Sequence, residues 1–250
     1  MQLDPSAAAA GVRVVHHDTV GSTNAEALAL ARGGESGPLW ITAGSQTAGR
    51  GRRGRNWVSE PGNLYASLLL TDPAPPDRAA ELSLVAALAV HDAVGSRTPG
   101  VPRRLTLKWP NDVLIDGNKF SGILIEGEGA AVVIGIGVNC AHHPSGTTFP
   151  ATDLATAGVR ASPETVFAAL SAAIIVRLTQ WSRGTDFAVT RAAWLARAGG
   201  LDKPIRIALG EGDIEGRFES IDERGHLVLR DPDGTVRTIS AGDVAMMARR

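Results

Sequence analysis

The chain has 250 residues, which is enough for one sizeable core or for a larger domain with a small companion. Its formal net charge of -1, with 44% hydrophobic and 20% charged residues, is ordinary for a soluble globular protein. It lacks the positive excess on which nonspecific nucleic-acid binding draws. Cys140 is the only cysteine, so an intramolecular disulfide and a multi-cysteine zinc site are both excluded, which fits the cytoplasm.

Residues 1–11 carry an Ala run but no basic start and no long apolar stretch, so they do not read as a signal peptide. No stretch approaches the ~20 apolar residues of a membrane span. Residues 12–20 read as a short strand, followed by an Ala/Leu helix for which Thr23 and Glu26 form a capping box, with Gly33 and Gly34 at its end. Residues 39–43 and 64–70 read as strands on either side of an Arg/Gly loop. Asp77 is placed to cap a long Ala/Leu/Val helix running through Val94 to Gly95. Residues 105–109 and 113–115 are strand-like, and Asp116-Gly117-Asn118 is a hairpin turn signal. Residues 120–126 and 131–138 then read as paired strands rich in Ile and Val.

Ser162, Pro163 and Glu164 open a helix expected to run to Trp181, and a second helix is expected over residues 187–198, stopped by Gly199-Gly200. After Gly200 the texture changes to four or five short strands with turns at Glu223-Arg224-Gly225 and at Asp231 to Gly234, which suggests a small β-barrel. We therefore expect an α+β fold: residues 1–200 as one mixed domain and residues 201–250 as a second, small one.

Four segments carry candidate chemistry. In the loop from Gln46 to Trp57, Arg50, Arg52, Arg53 and Arg55 lie within six residues, interleaved with Gly49, Gly51 and Gly54. Four guanidinium groups so close need a counter-charge, and glycines let backbone N–H groups turn toward an anion. One reading is a phosphate grip; the other is a flexible Arg/Gly tract that binds nucleic acid. The tract is short, unrepeated, closed by Trp57 and set between two apolar strands, which speaks against the second reading. Lys108, at the end of an apolar strand and before the Pro110-Asn111-Asp112 turn, is placed to hold a phosphate, or is simply an exposed lysine. Gly21-Ser22-Thr23-Asn24 stands at a helix start, where Ser22 and Asn24 can hydrogen-bond a ligand while Thr23 caps. Gly135 and Gly137, in a strand that ends at Asn139, mark the close approach of either a ligand or another backbone. The adjacent pairs His16-His17 and His142-His143 read as incidental, since strand neighbours point to opposite faces.

Taken together and in this order, Gly21 to Asn24, Gln46 to Trp57, Lys108 to Asp112, Lys119-Phe120-Ser121-Gly122-Ile123-Leu124-Ile125-Glu126 and Gly135 to Asn139 resemble the biotin–protein ligases. The resemblance implies a class II synthetase-like biotinyl/lipoyl ligase domain with a mixed sheet and helices, plus a small C-terminal SH3-like β-barrel. It implies ATP, biotin and Mg2+ as the reacting set, giving biotinyl-5′-AMP. The biotin then passes to a lysine of the biotin carboxyl carrier protein or domain of a biotin-dependent carboxylase. By the family pattern Ser22, Thr23, Asn24 and Gln46 line the biotin end, and Arg50, Gly51 and Arg52 lie over the ligand and its phosphate. Lys108 meets the carboxylate and the α-phosphate, and Trp57 and Asn139 stand on the adenosine side. Lys108 and Arg52 are the expected catalytic pair, and no residue is assigned to the metal. About a dozen residues precede the first strand, so no N-terminal DNA-binding domain and no repressor function are expected. A lipoate ligase of the same fold is the nearest rival.

Overall fold

The computed structural model describes residues 1–96, 101–209 and 212–246. A short helix, α1 (Pro5–Ala9), is capped by the Asp4 carboxylate and leads into β1 (Arg13–Val20). Helix α2 (Thr23–Arg32) then crosses to β2 (Leu39–Gln46), which lies parallel to β1. Then follow β3 (Leu64–Thr71), α3 (Leu82–Gly95), β4 (Leu105–Lys108), β5 (Asp112–Ile115), β6 (Asn118–Glu128) and β7 (Ala131–Val138). The seven strands form one sheet in the order β1-β2-β3-β7-β6-β5-β4, antiparallel everywhere except at β1 and β2.

Strand alternation sorts the side chains to the two faces. On β2, Leu39 and Ile41 pack with Ala27 under α2, together with Leu69 and Val133. Trp40, between them, points to the other face and meets Phe167 edge-on at 5.5 Å. That second face holds the main core, covered by α3, α4 (Pro163–Trp181) and α5 (Phe187–Leu195). Eleven of the fourteen residues of α3 are buried, so the helix is enclosed on most of its sides.

The remaining strands, β8 (Pro204–Leu209), β9 (Gly212–Ile221), β10 (Leu227–Arg230), β11 (Val236–Ile239) and β12 (Asp243–Met246), make a five-stranded antiparallel sheet in the order β11-β10-β9-β8-β12. They are the expected C-terminal strand group, but the pairing is linear, with β11 and β12 at opposite edges. The sheet is not separate in packing. Phe218 meets Trp194 of α5 at 6.3 Å, the Trp109 indole N–H donates to Gly225 O at 2.9 Å, and Ile205, Ile207 and Leu229 join the main core.

Several expectations shift. Ser22, not Thr23, is the N-cap of α2, its hydroxyl accepting from Ala25 N, so the Thr23/Glu26 capping box does not form. Thr23 is instead drawn to Gln46. Asp77 caps nothing: it lies in a 3-10 turn over Pro76–Glu81, and α3 begins at Leu82 with no side-chain cap. Helix α5 ends at Leu195, three residues early, because Ala198 leaves the helix to bridge beside Leu107. The Asp116-Gly117 hairpin is as read, with both residues at positive φ (49° and 79°) between the paired Ile115 and Asn118. Among the described residues one helix, α4 with the turn after it, is long and apolar enough by length and composition to cross a membrane, which corrects the expectation of no such stretch. It packs against α3, with Phe167, Leu170, Ile174 and Trp181 buried in the core.

Candidate active site

One cleft of about 840 Å3 opens over the sheet, and all ten residues singled out from the sequence as site candidates line it: Ser22, Thr23, Asn24, Gln46, Arg50, Gly51, Arg52, Trp57, Lys108 and Asn139. Three strand ends and one helix start bring them there.

At one end is the N-terminus of α2. Its N-cap Ser22 and its first residues, Thr23 and Asn24, are buried and line the cleft. Gln46, at the end of β2, accepts from Thr23 N (2.9 Å) and from the Thr23 hydroxyl (3.1 Å), while its amide donates to Ser59 Oγ at 2.9 Å. Ser67 Oγ stands 2.7 Å from Thr23 Oγ1 and 2.6 Å from Asn24 Oδ1. Asn24 donates to the Glu126 carboxylate at 2.7 Å. This end is therefore a rigid polar network whose rotamers are fixed before any ligand arrives. Gly135 explains part of it, since a Cβ there would fall 2.2 Å from Asn24 Oδ1. What comes close to this glycine is a side chain, that of Asn24, rather than another backbone.

The Arg/Gly loop is a tight hairpin. Arg50 bridges Asn56, and Trp57 N donates to Gly49 O at 3.0 Å. Gly49 is required by space, because a Cβ there would stand 2.4 Å from Trp57 O, and Gly54 by its φ of 71°. Arg53 also sits in the left-handed region (φ 55°, ψ 35°), which disfavours a side chain. The loop's counter-charges come from two directions. Glu126 on β6 takes Arg50 through both oxygens at 3.2 Å. Asp243 on β12 faces Arg55 at 3.0 Å, Arg53 at 3.4 Å and Arg52 at 3.9 Å. Arg52 also donates to Asn111 Oδ1 (3.1 Å) and to Gly242 O (3.3 Å); burial lowers the pKa of its guanidinium, an effect Asp243 and Asp112 oppose.

Trp57 lies flat on the sheet. Gly122 and Gly137 are cross-strand partners beneath it, and a Cβ at Gly137 would fall 2.5 Å from the ring. This pair of glycines is the floor that lets an indole reach the sheet. Lys119 Nζ stands 5.4 Å from the ring centroid, within cation–π range. Asn139, nearly fully buried, donates to Thr152 O at 3.0 Å, which fixes its side chain at the edge of the cleft.

Lys108 is not an exposed lysine before an ordinary turn: its side chain is 6% exposed. Its Nζ lies 2.8 Å from Asp112 Oδ2, and Lys119 Nζ lies 2.6 Å from Asp112 Oδ1. Two ammonium groups thus share one buried carboxylate, leaving a net positive charge in the cleft. Burial pushes the Asp112 carboxyl up, but Lys119 and Lys108 outweigh burial and hold it below the usual carboxylate range. Phe149 covers Lys108, its ring centroid 4.4 Å from Nζ.

Sequence reasoning missed Lys119, Asp112, Glu126, Phe149 and Asp243. Lys119, Asp112 and Glu126 fall inside quoted motifs but carry no mark of their own. Phe149 and Asp243 reach the cleft only through tertiary folding, and nothing in their local sequence signals it. Among the described residues no group of three or more His, Cys, Asp or Glu side chains could hold a metal ion.

The sequence profile of the biotin/lipoate A/B protein ligase family matches residues 22–139, and that of the biotin protein ligase C-terminal domain matches residues 200–247. A biotin–[acetyl-CoA-carboxylase] ligase of Paracoccus denitrificans is 44% identical over 237 residues, covering 89% of this chain and 96% of the relative. A protein of the same name from Mycobacterium tuberculosis is 36% identical, covering 90% and 85%. Among solved structures, biotin protein ligase from Aquifex aeolicus in complex with biotin and ATP superimposes with a TM-score of 0.81 at 28% identity, covering 95% of this chain and 99% of that one.

Proposed function

The chain belongs to the biotin/lipoate A/B protein ligase family, and from that premise we propose that it joins biotin to ATP as biotinyl-5′-AMP and passes the biotin to a lysine of a carrier domain on acetyl-CoA carboxylase. The observation that carries this is the pairing, in one cleft, of a rigid polar end at Ser22–Gln46 with a cationic end at Arg52, Lys108 and Lys119. The first suits a neutral, hydrogen-bonding head group; the second suits a carboxylate meeting a phosphate.

In this reading biotin lies with its ring end against Ser22, Thr23, Asn24 and Gln46. A carboxylate oxygen attacks the α-phosphorus of ATP, the bond to the bridging oxygen breaks, and pyrophosphate leaves. Lys108 and Arg52 oppose the charge that grows on the α-phosphate in a cleft from which water is partly excluded. Arg50 and Gly51 lie over the ligand, and Trp57 and Asn139 stand on the adenosine side. In the second step the carrier lysine amine attacks the acyl carbon, the acyl–phosphate bond breaks, and AMP leaves with loss of the amine proton. No nucleophile from the protein is needed.

Mg2+ would come with the triphosphate and would take few protein ligands, as is usual for this ion at a nucleotide site. The donor set of the cleft fits that use and not a protein-only cage. Asp112 is matched by two lysines and, in the ligand-free protein, Asp243 by arginines; the exposed Asp213 would be the cleft carboxylate most open to the ion. When bound it would screen the phosphate charge.

We place the boundary between the two domains near Gly200 and the reaction in the cytoplasm, with no DNA partner. The deciding experiment is ATP–pyrophosphate exchange run with biotin, lipoate and octanoate. Exchange that needs biotin, followed by labelling of a carrier domain, is expected. Exchange with lipoate but not biotin would overturn the choice of acid.

A further inference from the structure

We propose that Asp243 is a positioning residue that stands in for the phosphate. In the ligand-free protein it holds the arginine loop through Arg52, Arg53 and Arg55, and it gives up those guanidinium groups when the nucleotide arrives. The inference rests on the functional reading above and adds to it a device for handling the loop.

Three observations carry it. Asp243 is not part of the catalytic sheet; it opens β12, and yet it lines the same cleft as Lys108 and Arg52. Three of the loop's four arginines converge on this one carboxylate, from 3.0 to 3.9 Å. The loop is also held in a conformation it would not choose freely, with Arg53 in the left-handed region inside the turn that points at Asp243. A monovalent carboxylate at this point meets the same need as a phosphate: it neutralises a cluster of guanidiniums that would otherwise repel one another.

The two anions compete for the same groups. Asp243 and an α-phosphate gripped by Arg52 would be like charges side by side in a cleft, which favours handing the arginines from one to the other. The triphosphate as a whole carries more charge and more acceptor oxygens than one carboxylate, so it wins when present. An interaction made only in the free state lowers apparent affinity for the ligand, and removing it raises that affinity.

The test uses the full chain, with Asp243→Asn and with Asp243→Glu as the conservative control. Limited trypsin digestion reports the loop directly, since Arg52, Arg53 and Arg55 are its cleavage points. Without ligand, Asp243→Asn should be cut there about fivefold faster than wild type; with biotin and ATP both should be equally protected. In pyrophosphate exchange the KM for ATP should fall roughly three- to tenfold, the span that a few partly exposed ion pairs carry. Asp243→Glu should return both readouts toward wild type. If Asp243→Asn is unstable by thermal melt, Arg53→Gln should speed cleavage at the remaining Arg52 and Arg55 and lower the KM for ATP, each by a smaller amount. Unchanged cleavage without ligand, loss of protection with ligand, or a raised KM would each overturn the proposal. Wild-type protection by biotin and ATP, with no effect of either variant, would sink the stand-in role and leave the functional reading intact. Wild-type indifference to biotin and ATP would sink both.

Discussion

At the scale of single residues, the assignments differ sharply in what each side chain has to lose. Lys108 is buried and already paired with Asp112, so its charge is fixed in place before any substrate binds. Replacing it with Ala removes a preorganised cation from a largely dry site, a loss that typically costs ~3–4 kcal/mol in the transition state. Adenylate formation is expected to fall by two to three orders of magnitude in single-turnover measurements; near-normal turnover would refute the role. Arg52→Ala should instead speed release of the adenylate, read as a larger off-rate in a filter or stopped-flow chase. Gly137→Ala tests the indole floor. Its added Cβ would overlap the Trp57 ring, so the ring must lift, and overpacking of this kind costs about 1–3 kcal/mol. The KM for ATP should rise several-fold, while an unchanged KM would separate Trp57 from the nucleotide. Sequence reading was strong for residues whose chemistry is odd in isolation, such as four arginines among glycines or a lysine before Pro-Asn-Asp. It was weak for Thr23, because capping is the local default and only the folded chain reveals that Gln46 competes for that residue.

At the scale of elements, the hairpin strands were the most legible, because turn chemistry and alternation agree. Asp116-Gly117 demands positive φ at both positions, and β5 and β6 pair on either side of it. Helix starts were legible where Pro and a short polar residue coincide, as at Ser162-Pro163, and illegible at Asp77, where two prolines before it favour a 3-10 turn. The segment after β7 carries a second consequence. Cys140 is buried there, its Sγ 3.6 Å from Val138 O, and burial pushes its thiol up to about 12. At neutral pH it is protonated and shielded. A thiol reagent should modify it at least a hundredfold more slowly in the folded protein than in denaturant, since thiolate is the reactive form and access is blocked. Rapid native-state labelling would mean that the segment opens on the timescale of the reaction.

At the scale of the whole molecule, carboxylates set the acid limit. Asp112 and Asp92 both have folded pKa values below the usual 3.8; burial opposes this in each, and Lys119 and Lys108 for the one, His91 and Arg177 for the other, prevail. A carboxylate with a lowered folded value binds fewer protons folded than unfolded. Its contribution is therefore complete above its unfolded value and is lost as pH falls through the folded one. Denaturant midpoints should change little on this account between about pH 7 and pH 5 and fall below about pH 4; a decline already present at pH 5 would implicate other groups. What sequence reading could not reach at this scale is the wall of the cleft. Arg206, Ala208, Asp213, Asp243, Val244 and Ala245 belong to a sheet whose own pattern speaks only of small-barrel packing. That wall has a consequence in time. Strand β12 pairs with β8, joining Met246 to Ile205 across some forty intervening positions. During synthesis the seven-stranded sheet and its lysines are finished long before β12 leaves the ribosome. A nascent chain thus carries a half-built, open trough, and competence to hold an activated acid away from water arrives only with the last strand.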